Sequence, residues 1–526
     1  MGCSNSLQTR NYLVLISASS LPTVCVQDDS EVPSAELQAV RAALEAGSPA
    51  LAIAMGAALL PQLSHSTDQA TLHLLMGRAE LLNGRLGPAV QRFRLADRVG
   101  DGLQIGIWEA FSQYGAGGLE AVEHVLNEVE AAANGDGITL ASVSGVRAWL
   151  HLERGQAAAG LALAKIANDQ ALAIGLPDLV ALSWLVLALA QATAGDVASG
   201  ARSIATGIEL GELTGHAIAA PLFHMVAADL HHWRGNLGAV FHHAGAALSR
   251  SEPITGGLVG VWAYGQLSVA ADRRGESDLA ADHLRNAEAA LLRGVPLGWA
   301  HLAIARLRAD RTSAPERAAL RLLDVWRYIA EHGTTGHLNL FALPVGPLLL
   351  TVNDAAIRTE FASRIGELRA PNPLDHMAIS LARAVSVNDL SEAIDLAESI
   401  ERAGHLFATT AADAFALIAD LCSVNRDRRA RSFAEAARVL YSSIGAHGDV
   451  RRLIERHPAI AGEMDPVLSP AERRVVALMM EGCTNSEIAE QLYLSVKTVE
   501  THLGRVYRRF GVKSRTQLAA HLRHPR

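Results

Sequence analysis

The chain has 526 residues, of which 50% are hydrophobic but only 5% aromatic, and 46 Lys and Arg stand against 54 Asp and Glu for a formal net charge of −8. That length exceeds what one compact core accommodates, and an Ala- and Leu-rich composition with few β-branched runs excludes a sheet-dominated fold, so an all-α protein of several domains or an extended repeat array is expected. Four cysteines (Cys3, Cys25, Cys422, Cys483) without CxxC spacing exclude a disulfide framework and a zinc ribbon, and fit a reducing, cytoplasmic compartment.

The first residues, MGCSNS, formally match an N-myristoylation pattern, but so short a match is cheap. The apolar run 12–26 contains Pro22 and several serines, has only Arg10 before it as a positive charge, and is too short to span a bilayer as a helix. Residues 1–35 are therefore read as a poorly ordered leader, with no membrane association.

From residue 36 to residue 450 the chain repeats itself. Gly115, Gly155, Gly195, Gly235 and Gly275 are each 40 residues apart, and each interrupts a helical pattern just before another begins. The beat continues at Pro315 in DRTSAPER and at Asp354 in TVNDAA. It then shortens to SVNDLSEA at Asn388 and SVNRDRRA at Asn425, where Asx turn and cap chemistry replaces glycine. LLNGRLGPAVQRF at Gly84 is an earlier member.

Each unit reads as helix, tight turn, helix, and a small residue five positions after the glycine, such as Gly160 or Gly200, permits the second helix to pack closely. Units of this length imply an α-solenoid whose neighbours bury one another's apolar faces. The stretch LLMGRAELLNGRLGPAVQRFRLA (residues 74–96) resembles degenerate tetratricopeptide repeats, although most of that family's large aromatic positions are missing and the period is longer. The resemblance implies a curved surface that takes an unknown protein or small-molecule effector.

All seven tryptophans, about one per unit, lie in this region and are read as core packing. His216, His224, His231, His232, His242 and His243 place six of 21 histidines within one unit. With few carboxylates and no cysteine nearby they are read as packing and surface residues, and a metal-responsive protein is the alternative they leave open. No Gly-Lys pair, GxSxG or HExxH occurs, so the chain carries no signature of a nucleotide-binding loop, a serine hydrolase or a zinc protease, and neither an enzyme nor a cofactor is expected.

Residues 451–467 carry Pro458, Gly462 and Pro466, and read as a linker into a last domain at 468–526. From Asp465 onward ten Lys and Arg face six Asp and Glu, a basic end on an acidic body. Its helix starts are densely specified. Ser469-Pro470-Ala471-Glu472, Thr484-Asn485-Ser486-Glu487 and Ser514-Arg515-Thr516-Gln517 are capping boxes, Ser495 caps a further helix, and Gly482 and Gly511 supply left-handed stops. Only Tyr493 and Leu494 separate Leu492 from the Ser495 cap, which forces the second and third of four short helices into a helix-turn-helix.

At about 100° per residue, Val499, Leu503, Val506 and Phe510 fall on one stripe of the third helix. Lys497, Thr501, Gly504, Arg505 and Arg508 fall opposite, with Glu500, His502 and Arg509 on the flanks. Short polar and long cationic side chains around a glycine suit phosphate neutralisation and base-edge contacts.

The run LSPAERRVVALMMEGCTNSEIAEQLYLSVKTVETHLGRVYRRFGVKSRTQLAAHL resembles the LuxR-type helix-turn-helix family nearly end to end. The resemblance implies a four-helix DNA-binding domain that dimerises through its final helix, and a bacterial transcription regulator, expected to be an activator working with RNA polymerase. Carried over by position, Thr484, Asn485 and Ser486 would anchor phosphates, while Lys497, Thr498, Glu500, Thr501, His502, Arg505 and Arg508 would face double-stranded DNA. Two positions depart from the family pattern: Glu500 replaces a frequent lysine, and Gly504 stands where a long side chain is common. A protein-interaction scaffold using the helix-turn-helix only to dimerise is the alternative from another class.

Overall fold

The computed structural model describes residues 35–523 except 46–47, 84, 98–102, 215–218, 252–258, 292–297, 312–313, 337–341, 369–372, 405, 461–469, 481–482, 493 and 510–511. The expected leader, the turn at Gly84, His216, the Ser469 cap, the stops at Gly482 and Gly511, and Phe510 lie outside the described residues. Among those described, every regular element is a helix. None of the described helices is long and apolar enough to cross a membrane.

The described residues start with α1 (Ala35–Glu45), α2 (Pro49–Leu59), α3 (Ser66–Leu82), α4 (Leu86–Asp97) and α5 (Leu103–Ala132). Four helical hairpins follow: α6 (Gly137–Glu153) with α7 (Ala157–Ile174), α8 (Pro177–Thr193) with α9 (Val197–Thr214), α10 (Ala219–Trp233) with α11 (Leu237–Ser251), and α12 (Gly260–Arg274) with α13 (Ser277–Leu291). Beyond them come α14 (Trp299–Asp310), α15 (Pro315–His332), α16 (Ala342–Thr351), α17 (Ala355–Glu367), α18 (Pro373–Ser386), α19 (Leu390–Asp395) and α20 (Ala397–Gly404). The array ends with α21 (Ala408–Val424), α22 (Ala430–Ser443) and α23 (His447–Arg456), and the C-terminal unit holds α24 (Pro470–Met480), α25 (Asn485–Gln491), α26 (Val496–Arg509) and α27 (Arg515–Arg523).

The period of 40 is a period of helix stops. Gly155, Gly195, Gly235 and Gly275 all take positive φ, between 70° and 89°. In each case the next residue's N–H reaches back to the last turn: Gln156 to the His151 carbonyl, Asp196 to Gln191, Asn236 to His231 and Glu276 to Ala271, at 2.7–3.0 Å. This left-handed cap satisfies carbonyls the helix leaves open and reverses the chain in very few residues. The following small residue does what its position suggests. A Cβ on Gly160 would lie 3.1 Å from the Ala148 carbonyl oxygen, and one on Gly200 3.3 Å from that of Ala188.

Three turns differ in detail from the expectation. Gly115 lies inside α5, and the backbone leaves helical geometry at Gly118 instead, with φ 72° and ψ −175°. At the shortened units the asparagines are not the caps: Asp389 accepts from the Glu392 N–H and Asp427 from the Arg429 N–H. Asn388 adopts the left-handed region itself at φ 56°, whereas in the second unit Arg426 does so at φ 54°. The two asparagine amides bond each other across the gap, at 2.9 and 3.2 Å, and so hold neighbouring turns together.

The later helices also cover the edge that carries the glycine turns. Thr335 donates to the Arg154 carbonyl at 3.0 Å, and a Cβ on Gly155 would lie 3.4 Å from the Gly336 Cα. Thr409 donates to the His232 carbonyl at 2.7 Å, beside Gly235. The largest apolar core accordingly runs from Ala228 to Ile460, with Trp326 set edge-on to Phe361 at 5.5 Å. Neighbouring hairpins thus stack in repeat-like fashion while the far end of the array closes back on their turns.

Trp326 is 1% exposed, and Trp149, Trp184, Trp233, Trp262 and Trp299 pack against core clusters. In the histidine-rich hairpin, His224 Nδ1 lies 3.0 Å from His243 Nδ1, and the His231 ring stacks on His243 at 5.2 Å. Among the described residues no group of three His, Cys, Asp or Glu is arranged to hold a metal ion.

Candidate nucleic-acid interface

The C-terminal unit has a core of its own. Val475, Val476 and Met479 from α24, Ile488 and Ala489 from α25, Val499, Leu503 and Val506 from α26, and Leu518 from α27 are buried together. The i, i+4, i+7 spacing of Val499, Leu503 and Val506 fixes which side of α26 faces inward, and the remaining sides follow from it.

The starts of α25, α26 and α27 are chemically enforced. At α25, the Thr484 N–H donates to the Glu487 carboxylate at 2.6 Å while the Glu487 N–H donates to the Thr484 hydroxyl at 3.3 Å, a reciprocal box. Those hydrogen bonds from Thr484 hold the Glu487 carboxyl below its ordinary pKa. The Leu494 N–H bonds the Ala489 carbonyl at 2.9 Å and closes the turn. The Thr498 N–H then donates to the Ser495 hydroxyl at 3.0 Å and opens α26. At α27 the box is offset: Ser514 accepts from the Gln517 N–H at 3.2 Å, but Gln517 reaches the N–H of Lys513 instead of Ser514.

The expected outward stripe is present on α26. Lys497, Glu500, Thr501, Arg505 and Arg508 are exposed around Gly504, and the Lys497 ammonium lies 3.9 Å from Glu500 one turn on. Thr501 donates to the Lys497 carbonyl at 2.8 Å, and Arg508 Nε to the Gly504 carbonyl at 3.3 Å. Among the described residues nothing lies within 4 Å of a Cβ placed on Gly504, so this point of the helix is open to them.

Other expected residues are less free. Thr498 is half-buried and its hydroxyl pairs with Ser495 at 2.7 Å. His502 is half-buried, with Nδ1 enclosed and unpartnered among the described residues. Thr484 and Ser486 are exposed and Asn485 half-buried, the first with its hydroxyl engaged in the capping box.

One positioning residue carries no sequence signal. Arg515 Nη2 donates to the carbonyls of Met479 and Cys483, both at 2.7 Å, tying α27 to the end of α24 and the approach to α25. In the sequence it is only the second residue of a capping box.

This geometry meets the comparisons with known proteins at one place. Residues 466–522 match the family of bacterial regulatory proteins of the luxR type. The C-terminal unit is a LuxR-type helix-turn-helix domain.

Among curated proteins, a Mycobacterium tuberculosis protein named as an HTH-type transcriptional regulator is 51% identical over 51 residues, 10% of this chain and 6% of that protein. The transcriptional regulatory protein LiaR of Bacillus subtilis is 41% identical over 59 residues, 11% of this chain and 28% of LiaR. The oxygen regulatory protein NreC of Staphylococcus aureus is 42% identical over 60 residues, 11% of this chain and 28% of NreC. The chain thus spans between 6% and 28% of the length of these relatives, and the likeness covers the LuxR-type domain alone.

Proposed function

We propose that this chain is a transcription regulator that binds a two-fold site on double-stranded DNA as a homodimer paired through α27. In this reading α26 enters the major groove, and Lys497, Thr501, Arg505 and Arg508 meet phosphates and base edges, with Glu500 ordering Lys497 or accepting from a cytosine amine. Thr484, Asn485 and Ser486 approach the backbone from the start of α25, and Thr498 and His502 have secondary roles because they are partly enclosed. The helical array of residues 36–450 receives an effector or partner protein, and the regulator acts as an activator with RNA polymerase in the cytoplasm.

The observation that carries the reading is the exposed cationic stripe of α26 opposite the domain's own core, on the second helix of a helix-turn-helix. The names of the mycobacterial and Bacillus relatives support it.

The test is enrichment of genomic DNA by the full-length chain, followed by titration of the enriched duplex at two salt concentrations. Lys497→Ala with Arg505→Ala is expected to weaken binding at least about tenfold and to lower the salt slope by about one per lost phosphate contact. Unchanged affinity in that double variant would remove α26 from the interface and favour the scaffold reading.

A further inference from the structure

Where α12 and α14 meet α21, α22 and α23, the fold buries a group of charges that nothing in the sequence sets apart. Asp449, in the first turn of α23 and 5% exposed, accepts hydrogen bonds from four arginines: Arg273, Arg308 and Arg452 at 2.8 Å each and Arg311 at 3.2 Å. Asp272 accepts from Arg308 at 2.7 Å and from Arg452 at 3.0 and 3.1 Å. Asp413 takes the fork of Arg273 at 2.6 and 3.0 Å and the Tyr441 hydroxyl at 2.7 Å.

Two features separate this group from a balanced internal ion-pair network. Among the described residues four guanidinium groups share three carboxylates, so one positive charge is unmatched. The neighbouring Asp310 does not supply the missing charge, since Arg317 and Arg321 hold it at 2.9 Å. The second feature is unused donors: Nε of Arg273 and Nε of Arg452 are buried without a partner among the described residues. Buried N–H groups of cations are costly to leave unpaired, and planar guanidinium forks suit oxyanions above other ligands.

The surplus lies toward solvent. Arg311 is the most exposed of the four at 27%, followed by Arg452 at 16%. Burial and the adjacent Arg308 push the Arg311 guanidinium down to about 10. The exposed Arg451 lies beside Gly275, its guanidinium 3.2 Å from a Cβ placed there.

We propose that Arg273, Arg308, Arg311 and Arg452 form an oxyanion-binding cage now filled by the protein's own Asp449, and that a phosphate or carboxylate group of an external effector exchanges with it. The exchange enters at the Arg311 and Arg452 rim and frees the start of α23, the last described α-helix before the LuxR-type domain. This rests on the regulatory reading above and specifies its effector chemistry. A ligand of this kind shifts the equilibrium only by its preference for the undocked helix, and that preference is the upper limit of the coupling energy between cage and DNA.

The experiment follows thermal unfolding of the full-length chain during titration with inorganic phosphate or acetate, at an ionic strength held constant with chloride. Asp449→Ala is expected to melt below the wild type and to recover along a saturable curve with either oxyanion, but not with chloride. Arg311→Gln is expected to raise the half-saturating concentration at least tenfold. Recovery with phosphate alone assigns a phosphate-bearing effector, and recovery with both admits a carboxylate.

Absence of any saturable recovery in Asp449→Ala overturns the cage. Should that variant fail to fold, the wild type and Arg311→Gln decide, because identical curves for the two overturn it equally. The same wild-type samples are titrated with the enriched duplex. An oxyanion response in melting without any change in DNA affinity overturns the exchange as a control of DNA binding. Failure to bind DNA under every condition would instead count against the regulatory reading, while the melting curves still judge the cage.

Discussion

Gly275 and Gly448 meet backbone to backbone. A Cβ on Gly275 would lie 3.2 Å from the Gly448 N and Cα, and a Cβ on Gly448 would lie 2.9 Å from the Gly275 Cα and well inside contact distance of the Asp272 carbonyl oxygen. This approach brings the first turn of α23 against the stop of α12, and it is what allows Asp449 to reach Arg273 and Arg308. A glycine whose period marks it as a helix stop is therefore also a docking surface.

Gly448→Ala is consequently expected to destabilise the full-length chain by about 1–3 kcal/mol, the usual cost of forcing an extra carbon into a packed contact. The obstacle is backbone, which cannot swing aside as a side chain can. Gly245→Ala on α11, where nothing lies within 4 Å of the added carbon, should be neutral or stabilising by up to about 1 kcal/mol. Denaturant midpoints of the two variants provide the comparison, and equal behaviour would mean that α23 is not seated on the α12 stop.

Arg515→Ala should loosen the LuxR-type domain without touching its outward stripe. The guanidinium satisfies the Met479 and Cys483 carbonyls, and charge-assisted bonds of this kind contribute about 1.5–3 kcal/mol together with the partners they leave unpaired. Hydrogen exchange of the α25 and α26 amides is expected to accelerate, with the array unaffected. Protection unchanged in α25 and α26 would show that the apolar core alone holds α27.

Much of this architecture was legible because helix stops and caps are local. Gly155 to Gly275, Asp354, Thr484 and Ser495 act within a few residues of themselves, so their chemistry is visible in the sequence. The inward face of α26 was legible for the same reason, since period alone selects Val499, Leu503 and Val506. What was not legible depends on contacts between distant segments. Arg273 with Asp413, Arg452 with Asp272, and the closure of α21 to α23 on the glycine turns carry no short-range mark. The one-residue difference between the Asn388 and Asn425 turns also moved the left-handed position to Arg426, which residue type alone would not suggest.

The paired histidines of α10 and α11 give a pH dependence with a defined sign. Burial, then Arg250 and His242, lowers His224 to about 4, and burial with the neighbouring histidines lowers His243 to about 4. Between there and the unfolded value of about 6.5 the unfolded chain binds protons that the folded chain refuses, so stability rises with pH across that window. The histidine contribution is complete above about pH 6.5 and is lost on acidification toward pH 4. His224, only 4% exposed, should contribute up to about 1.4 kcal/mol per pH unit to that slope, alongside His243 and the still lower His232. In His224→Leu the denaturant midpoint should vary less steeply between pH 4.5 and 6.5, and an unchanged slope would contradict the assignment.

Gly504 separates stability from DNA preference at a single position. It sits mid-helix among Lys497, Thr501, Arg505 and Arg508 with open space before it, so Gly504→Ala should raise domain stability by about 1 kcal/mol through helix propensity alone. Gly504→Gln is sterically as free, but it adds an amide where α26 is proposed to approach base edges. It should keep the stability of the wild type or better while altering the preferred base at one position of each half-site, at about 1–3 kcal/mol of discrimination. Selection from random duplexes reads the second effect and thermal unfolding the first. A variant that is more stable yet selects the same sequence would place Gly504 away from the bases and rotate the proposed contact face of α26 toward Thr501 and Arg505.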